Sequence, residues 1–465
     1  MRVAVVGGGI GGLAVALFLA RRAHDVTVFE RDGRRAGVGL DEDTFTWVRP
    51  SVPQAAQPHL LLAPVRRVLR ADAPDVYAAM RELGAEEYHE FDWFDTPPPY
   101  RPGDEELVTV RARRIVLETA LAGAVARQHG ANLRLGAPVR GLDLDTSGPV
   151  PHVTAVRTDH GRHRVDLVLD CAGRRSPLPR LLAEAGCRAP VVESHRTGLA
   201  YVCRWYRLRG DAPKRVRPVS MASFASAAVF PSDNGVFAVA LLVATADRSR
   251  GALRDPAVFD AAARLFPAAA AWLDLDPEPL TGVRAMAGLD NRWTALVDDE
   301  GPVVTGLVGV GDSVVHTNPT LGQGCSLALR EAQWVAANSG DANREPAGFA
   351  MAYAAWCRSA LRPWFDVQVE ADRGLAAVVG HDGTSAPPAL SGREAARMAR
   401  SACAYEDPVV MRARAKVQHL AEVPAVAYAD EEVRRHIDMW LEARDGLVPG
   451  PDGPERDEWL AAVRG

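Results

Sequence analysis

The spacing of apolar residues along this chain changes several times, and each change predicts a different kind of element. Residues 3–6 (VAVV) form a short valine-rich run, the pattern of a strand buried on both faces. Gly7, Gly9 and Gly12 follow in G-x-G-x-x-G spacing. An apolar helical pattern covers 13–20, and 26–29 read as a second buried strand closed by Glu30. Leu60, Leu61, Val65 and Val68 give an apolar face to a helix expected to start near Pro58, and a second helix over 76–83 stops at Gly84. Residues 86–110 read as an excursion with some strand and a proline-rich loop, TPPPYRPGDEE.

A clear helix follows around Ile115, Leu117, Leu121 and Val125, with Gly130 beyond its end. Strands are predicted over 132–135, 139–144, 152–157 and 165–169. The last runs into a turn from Asp170 to Gly173 ahead of a helix over 178–185. From 195 to 246 the pattern becomes alternating, as in antiparallel strands, with turns at Gly210 and at Asp233–Asn234–Gly235. Helical segments near 256–265 and 268–273 complete that region. Residues 302–310 return to the buried-strand pattern, and Gly322–Gln323–Gly324 open a helix. Thereafter helical runs alternate with polar breaks, including a flexible loop, HDGTSAPP, at 381–388.

The expected fold class is α/β: a Rossmann-like domain, a β-sheet substrate domain and a C-terminal helical region. The first is assigned the discontinuous segments 1–85, 105–190 and 283–345, the second 86–104 and 191–282, and the third 346–465. With 465 residues, two or three domains are the natural expectation. A net charge of −5 argues against a nucleic-acid footprint. No apolar run reaches the ~18 residues that a membrane span needs. Six cysteines without a C-x-x-C pair leave metal ligation and a disulfide framework unexpected, and the first strand has no leader before it. A cytoplasmic location is therefore expected.

Each glycine of the first motif has a mechanical reason. Gly7 permits the tight turn, Gly9 lets the backbone approach a pyrophosphate, and Gly12 allows close helix–strand packing. The helix N-terminus offers free N–H groups and a positive dipole end to phosphates. Glu30, roughly 20 residues on, can accept hydrogen bonds from a ribose. This fingerprint leaves NAD and FAD both open. Some 300 residues later, Asp312 closes a buried strand and a glycine-rich helix start follows. The acid suits sugar-like hydroxyls, and the dipole end suits the N1–C2=O edge of a flavin, which becomes anionic on reduction.

Together these motifs resemble the FAD-dependent monooxygenases of the para-hydroxybenzoate hydroxylase type. The segments VPQAAQPHLLL, RRSPLPRLLAEAG and YVCRWYRLRG look like an actinobacterial branch of FAD-dependent oxidoreductases. The resemblance covers about the first 340 residues. It implies that GGGIGGL (Gly7, Gly9, Gly11 and Gly12) with Glu30 and Arg31 holds the ADP part. Arg114, in Arg-x-x-Leu-Glu, would reach the FAD phosphates, and Val139 would meet the adenine. Asp312 would take the ribityl and phosphate side, and the 322–326 backbone, with Gly322, Gly324 and Cys325, would border the isoalloxazine. Val315 stands where that family commonly has a His, with His316 one residue later, and Ser326 replaces a frequent Asn. Asn318–Pro319 with Gly-Gln-Gly looks closer to the branch that includes flavin epoxidases.

The resemblance further implies that reduced FAD reacts with O2 to give a C4a-hydroperoxide, which passes one oxygen atom to the substrate. The expected substrate is an apolar aromatic or olefinic small molecule of secondary metabolism, hydroxylated or epoxidised. No second dinucleotide motif is present, so NAD(P)H would bind transiently as reductant or a partner flavin reductase would supply reduced flavin. Candidate catalytic side chains are His316, Pro319, His59 and Arg204; the last shares a strand face with Tyr206, opposite Tyr201 and Trp205. A flavin dehydrogenase without oxygen insertion and a non-catalytic FAD-binding protein are the alternatives.

Overall fold

The computed structural model describes residues 1–49, 51–379, 392–448 and 450–464. The loop expected at 381–388 lies outside the described residues. Five parallel strands form the central sheet, in the order Leu307–Gly309, Leu167–Asp170, Arg2–Val6, Asp25–Phe29, Ala131–Arg134. Alternation sorts their side chains by face. Val3, Val5, Val26 and Val28 pack towards the helices, whereas Ala4, Val6 and Phe29 pack against the opposite layer. The helix Ile10–Ala20 is apolar on all sides and almost wholly buried, as expected for a helix enclosed by other elements. It lies between the sheet and the helices Arg114–Arg127 and Gly324–Ala342. The opposite layer contains the antiparallel strands Val139–Asp145, His152–Thr158 and Gly161–Arg164.

A second sheet runs Val219–Met221, Ala225–Pro231, Val236–Ala244, Leu199–Arg207, and two short strands, Glu278–Pro279 and Arg284–Met286, pair with the outer edge of Leu199–Arg207. One face is covered by the helices Pro256–Arg264, Pro267–Leu273 and Arg456–Arg464, where Tyr206, Phe237, Phe259, Phe266 and Trp459 are buried. The other face, carrying Tyr201, Cys203 and Trp205, turns to the half built on the parallel sheet; the Trp205 indole Nε1 donates to the Ala56 carbonyl at 2.8 Å. The two halves are also joined at Arg113 and Asp233, both buried. The Arg113 backbone N–H donates to Asp233 Oδ1 at 2.7 Å and its Nη2 to Oδ2 at 2.6 Å.

The helix expected near Pro58 starts instead at Ala63. Leu61 is in a β-bridge, its carbonyl accepting the Val110 N–H at 2.8 Å, and Pro64 fills the first turn, where its missing N–H costs nothing. Two further strands had no clear pattern in the sequence. Gly161–Arg164 is polar throughout, and Asp290–Ala295, which pairs with Val191–Arg196 and Val315–His316, mixes polar and apolar side chains. The region after 345 is helical among the described residues, from Pro346–Ala360 and Arg362–Val379 to Gly392–Ala404, Pro408–Gln418 and beyond. No described helix is long and apolar enough to cross a membrane.

Candidate active site

Both glycine-rich helix starts open into one cavity of about 1400 Å³. That exceeds the ~300–1,000 Å³ typical of a site for one small ligand, and leaves room for two molecules. Helix Ile10–Ala20 begins at Gly9 and helix Gly324–Ala342 at Gln323, and neither has a capping side chain. The helices lie side by side, a Cβ on Gly11 falling 3.5 Å from that of Ala328. Two sets of free N–H groups and two positive dipole ends therefore face the same space.

The glycines of the first motif divide by role. Gly7, at φ +106°, packs against the Cys171 carbonyl, which a Cβ would approach to 2.6 Å. A Cβ on Gly12 would lie 1.9 Å from the Gly7 carbonyl oxygen, so Gly12 sits beneath the loop and serves packing. At Gly9 a Cβ would meet only Arg114 Nη2, at 3.9 Å, and would otherwise project into the cavity. Glu30 also lines the cavity, but its carboxylate already braces the loop. Oε2 accepts the Gly8 N–H at 2.6 Å and Oε1 the Asp32 N–H at 2.8 Å. Arg31 and Val139 lie on the same wall, the Arg31 guanidinium donating to the Ser51 carbonyl.

Arg114 is aimed by two neighbours. Its Nε donates to Glu118 Oε1 at 2.8 Å, and Glu118 in turn accepts from Arg49. His59 Nε2 lies 3.4 Å from Arg114 Nη1. Burial, reinforced by the Arg114 charge, lowers His59 to about 4. A ring that is neutral at ordinary pH and bonded to Arg114 holds the guanidinium in position.

Asp312 occupies the turn after the strand Leu307–Gly309. Burial disfavours its charge, yet His316 and Arg114 hold its carboxyl below the ordinary range. The turn hangs on Glu331, whose Oε2 accepts the Gly311 N–H at 2.5 Å. Burial raises Glu331 well above a normal carboxylate. His316 stands between Asp312, 3.4 Å from its Nδ1, and Asp290, 3.8 Å from its Nε2. Pro319, Gly322, Gly324 and Cys325 complete this wall. Gly322, at φ +67°, leaves no room for a Cβ, which would come 2.7 Å from that of Leu60. The Cys325 thiol is pushed up to about 11 by burial and is a packed, protonated group. Gln323 is 3% exposed, and its amide oxygen has no partner within the protein.

Arg204 is not part of the cavity. Its guanidinium donates to Asp260 at 2.5 Å and to the Thr281 carbonyl at 3.0 Å, on the helix-covered face of the second sheet. The face that reaches the cavity is the opposite one, through Tyr201.

A buried polar cluster behind the 318–322 loop is built on Asp372, Gln368, Thr320 and Asn291, none of them singled out in the sequence. Asp372 Oδ1 accepts from Asn318 (2.8 Å), Thr320 (2.7 Å) and Gln368 (3.0 Å), and its Oδ2 accepts from Asn291 (2.7 Å). Asn291 also accepts the Asn318 backbone N–H, and the Tyr201 hydroxyl donates to Asn318. The available signal was Gln368 and Asp372, two polar residues one turn apart on a helix whose neighbours Trp364, Phe365 and Val369 are buried.

From this site the cavity continues between the second sheet and the C-terminal helices, past Phe230, Leu242, Leu375, Val378 and Met398. That extension is largely apolar.

Residues 2–101 match a protein family described as FAD dependent oxidoreductase. No curated protein matches the chain. The fold is similar to that of PqsL, a probable FAD-dependent monooxygenase from Pseudomonas aeruginosa, with a TM-score of 0.62 at 17% identity over 82% of this chain and 96% of PqsL. It is also similar to OxyS anhydrotetracycline hydroxylase from Streptomyces rimosus, with a TM-score of 0.57 at 18% identity over 91% of this chain and 77% of that one. CmlS, a flavin-dependent halogenase, gives a TM-score of 0.56 at 18% identity over 95% and 77%. At such identities the shared property is the fold. With the family match, it supports an enzyme built as an FAD-dependent oxidoreductase.

Proposed function

We propose that the chain is an FAD-dependent monooxygenase, of the para-hydroxybenzoate hydroxylase type, acting on an apolar aromatic or olefinic small molecule. One observation carries the reading: Gly9, Arg114, Asp312 and the Gly322–Gly324 helix start, far apart in sequence, line a single cavity that runs on into an apolar chamber. The residues present fit FAD. The space above Gly9 is a cradle that a side chain would fill, and Gln323 holds an unpaired buried amide oxygen where a polar heterocycle edge would lie. Bound and reduced, FAD supplies the activation of O2 and the delivery of one oxygen atom.

The protein's part is to bind, orient and exclude water. The N–H groups at Gly9 and the Arg114 guanidinium take the phosphates, with Arg114 held by Glu118 and His59. Asp312 would accept hydrogen bonds from ribityl hydroxyls, its ionised form favoured by His316. The N-terminal N–H groups of helix Gly324–Ala342 would support the flavin edge that gains charge on reduction. Tyr201 and Pro319 border the junction with the substrate chamber, and its apolar walls keep water from the reacting centre. NAD(P)H or a partner flavin reductase delivers the electrons.

The test is reconstitution with FAD, followed by oxygen uptake in the presence of reductant and a panel of aromatic and olefinic compounds. Uptake matched by an oxygenated product supports the reading. Substrate oxidation without oxygen incorporation assigns a dehydrogenase, and failure to retain FAD under any condition overturns the assignment.

A further inference from the structure

The chamber end remote from Gly9 carries two guanidiniums over one aromatic ring. Arg217, ahead of the strand Val219–Met221, and Arg414, on helix Pro408–Gln418, lie 5.3 and 5.0 Å from the centre of Tyr405, and all three line the cavity. The ring is fixed by Trp93, edge-on at 4.8 Å, whose indole donates to the Tyr405 carbonyl at 2.7 Å. Each arginine has one nearby carboxylate, and each carboxylate is shared. Glu406 lies 3.8 Å from Arg217 but is bound by Arg444 and Trp440. Glu90 lies 3.5 Å from Arg414 but accepts from His419, Gln418 and Thr109. His419 Nδ1 accepts the Ala63 N–H, so its proton sits on Nε2 and the ring brings no charge. The carboxylates near Arg217 and Arg414 are thus engaged elsewhere, and Asp452, which also lines the chamber, is taken up by the Met221 N–H at 2.9 Å and the Ser220 hydroxyl at 3.1 Å. Arg397 lines the same end of the chamber, its Nη1 donating to the Ala371 carbonyl.

We propose that this Arg217–Tyr405–Arg414 cluster is the recognition site for a carboxylate on the substrate. Resting on the monooxygenase reading, it narrows the substrate to an aromatic or olefinic acid whose apolar body extends along Phe230, Leu242 and Leu375 towards the 319–322 loop. Planar guanidiniums suit a carboxylate bidentately, and contact with the Tyr405 ring holds each of the two in place and shields it from water on one side.

Binding to the FAD-loaded protein is measured calorimetrically with 1-naphthoate, 1-naphthamide and 1-naphthyl phosphate. The naphthoate is expected to bind at least about tenfold more tightly than the amide. Arg217→Gln, at a half-exposed side chain whose loss the fold tolerates, removes that preference and leaves amide binding unchanged. Arg414→Gln does the same, with circular dichroism and melting as its folding control. Equal binding of acid and amide, an undiminished preference in Arg217→Gln, no binding of any probe, or tightest binding of the phosphate overturns the proposal. Titrating FAD-free protein separates the two readings. If FAD never binds but the acid preference persists and depends on Arg217, the anion site stands and the monooxygenase reading falls.

Discussion

His59 Nε2 lies 3.4 Å from Arg114 Nη1, while Nδ1 of the same ring donates to the Gln57 carbonyl at 2.9 Å. That donation fixes the tautomer and leaves Nε2 as acceptor, so this histidine holds the guanidinium as a neutral ring. Unfolded, it takes up a proton near pH 6.5; in the apoprotein it does so only near 4. Between those values the unfolded chain binds more protons, and the His59 contribution to stability is lost as pH falls from about 6.5 towards 4. Asp170, raised to about 6 by burial, acts in the opposite sense over part of that window, so the readout is a difference. Apoprotein melting from pH 7 to 4 should fall more steeply for wild type than for His59→Gln, by on the order of 2 kcal/mol at the acid end. Parallel curves refute the prediction.

Two glycines three positions apart should behave oppositely. Gly9→Val places its side chain in open cavity, so melting is expected within about 1 kcal/mol of wild type while FAD binding is lost. Gly12→Ala forces a contact with the Gly7 carbonyl and should destabilise the fold by about 3 kcal/mol or more. Melting combined with FAD titration separates the two effects, and a Gly9→Val protein that stays yellow refutes the cradle.

Asp312→Ala removes a carboxylate whose ionised form His316 and Arg114 favour. Equilibrium dialysis should register a loss of FAD affinity of about tenfold to a hundredfold, the value of one or two charge-assisted hydrogen bonds. An unchanged Kd removes Asp312 from the cofactor site.

Asp372→Ala leaves the donors of Asn318, Thr320, Gln368 and Asn291 without their shared acceptor. A loss of about 2–3 kcal/mol by denaturant unfolding is expected, together with a shifted flavin spectrum because the 318–322 loop loosens. A spectrum and stability equal to wild type would mean that the loop does not depend on this acid.

The nucleotide-binding half was legible because local rules suffice there. A buried strand, a glycine loop and a buried helix follow one another without long-range help, and the acid at Asp312 sits at a strand end as such acids do. The helix expected from Pro58 came late because Leu61 is claimed by Val110, a partner some fifty residues on that no local pattern reveals. Arg204 was misplaced for a related reason. Alternation shows that it lies opposite Tyr201 and Trp205 but not which face meets the cavity, and that was decided by helix Pro256–Arg264 presenting Asp260. The roles of Asp372 and Arg414 were hidden because they depend on helices folding back over the sheet. Glu118 was in view as the last residue of Arg-x-x-Leu-Glu, although its work is to aim the first.

Arg113 bonds Asp233, and the next residue along the chain is Arg114. Asp233 opens the turn joining the strands Ala225–Pro231 and Val236–Ala244, whose Phe230 and Leu242 wall the substrate chamber. The hairpin that walls the chamber and the cation that faces Gly9 are therefore anchored one peptide unit apart. On the FAD reading proposed above, a guest that displaced the hairpin would strain the same anchor that carries Arg114, and FAD affinity should then fall with the bulk of the guest.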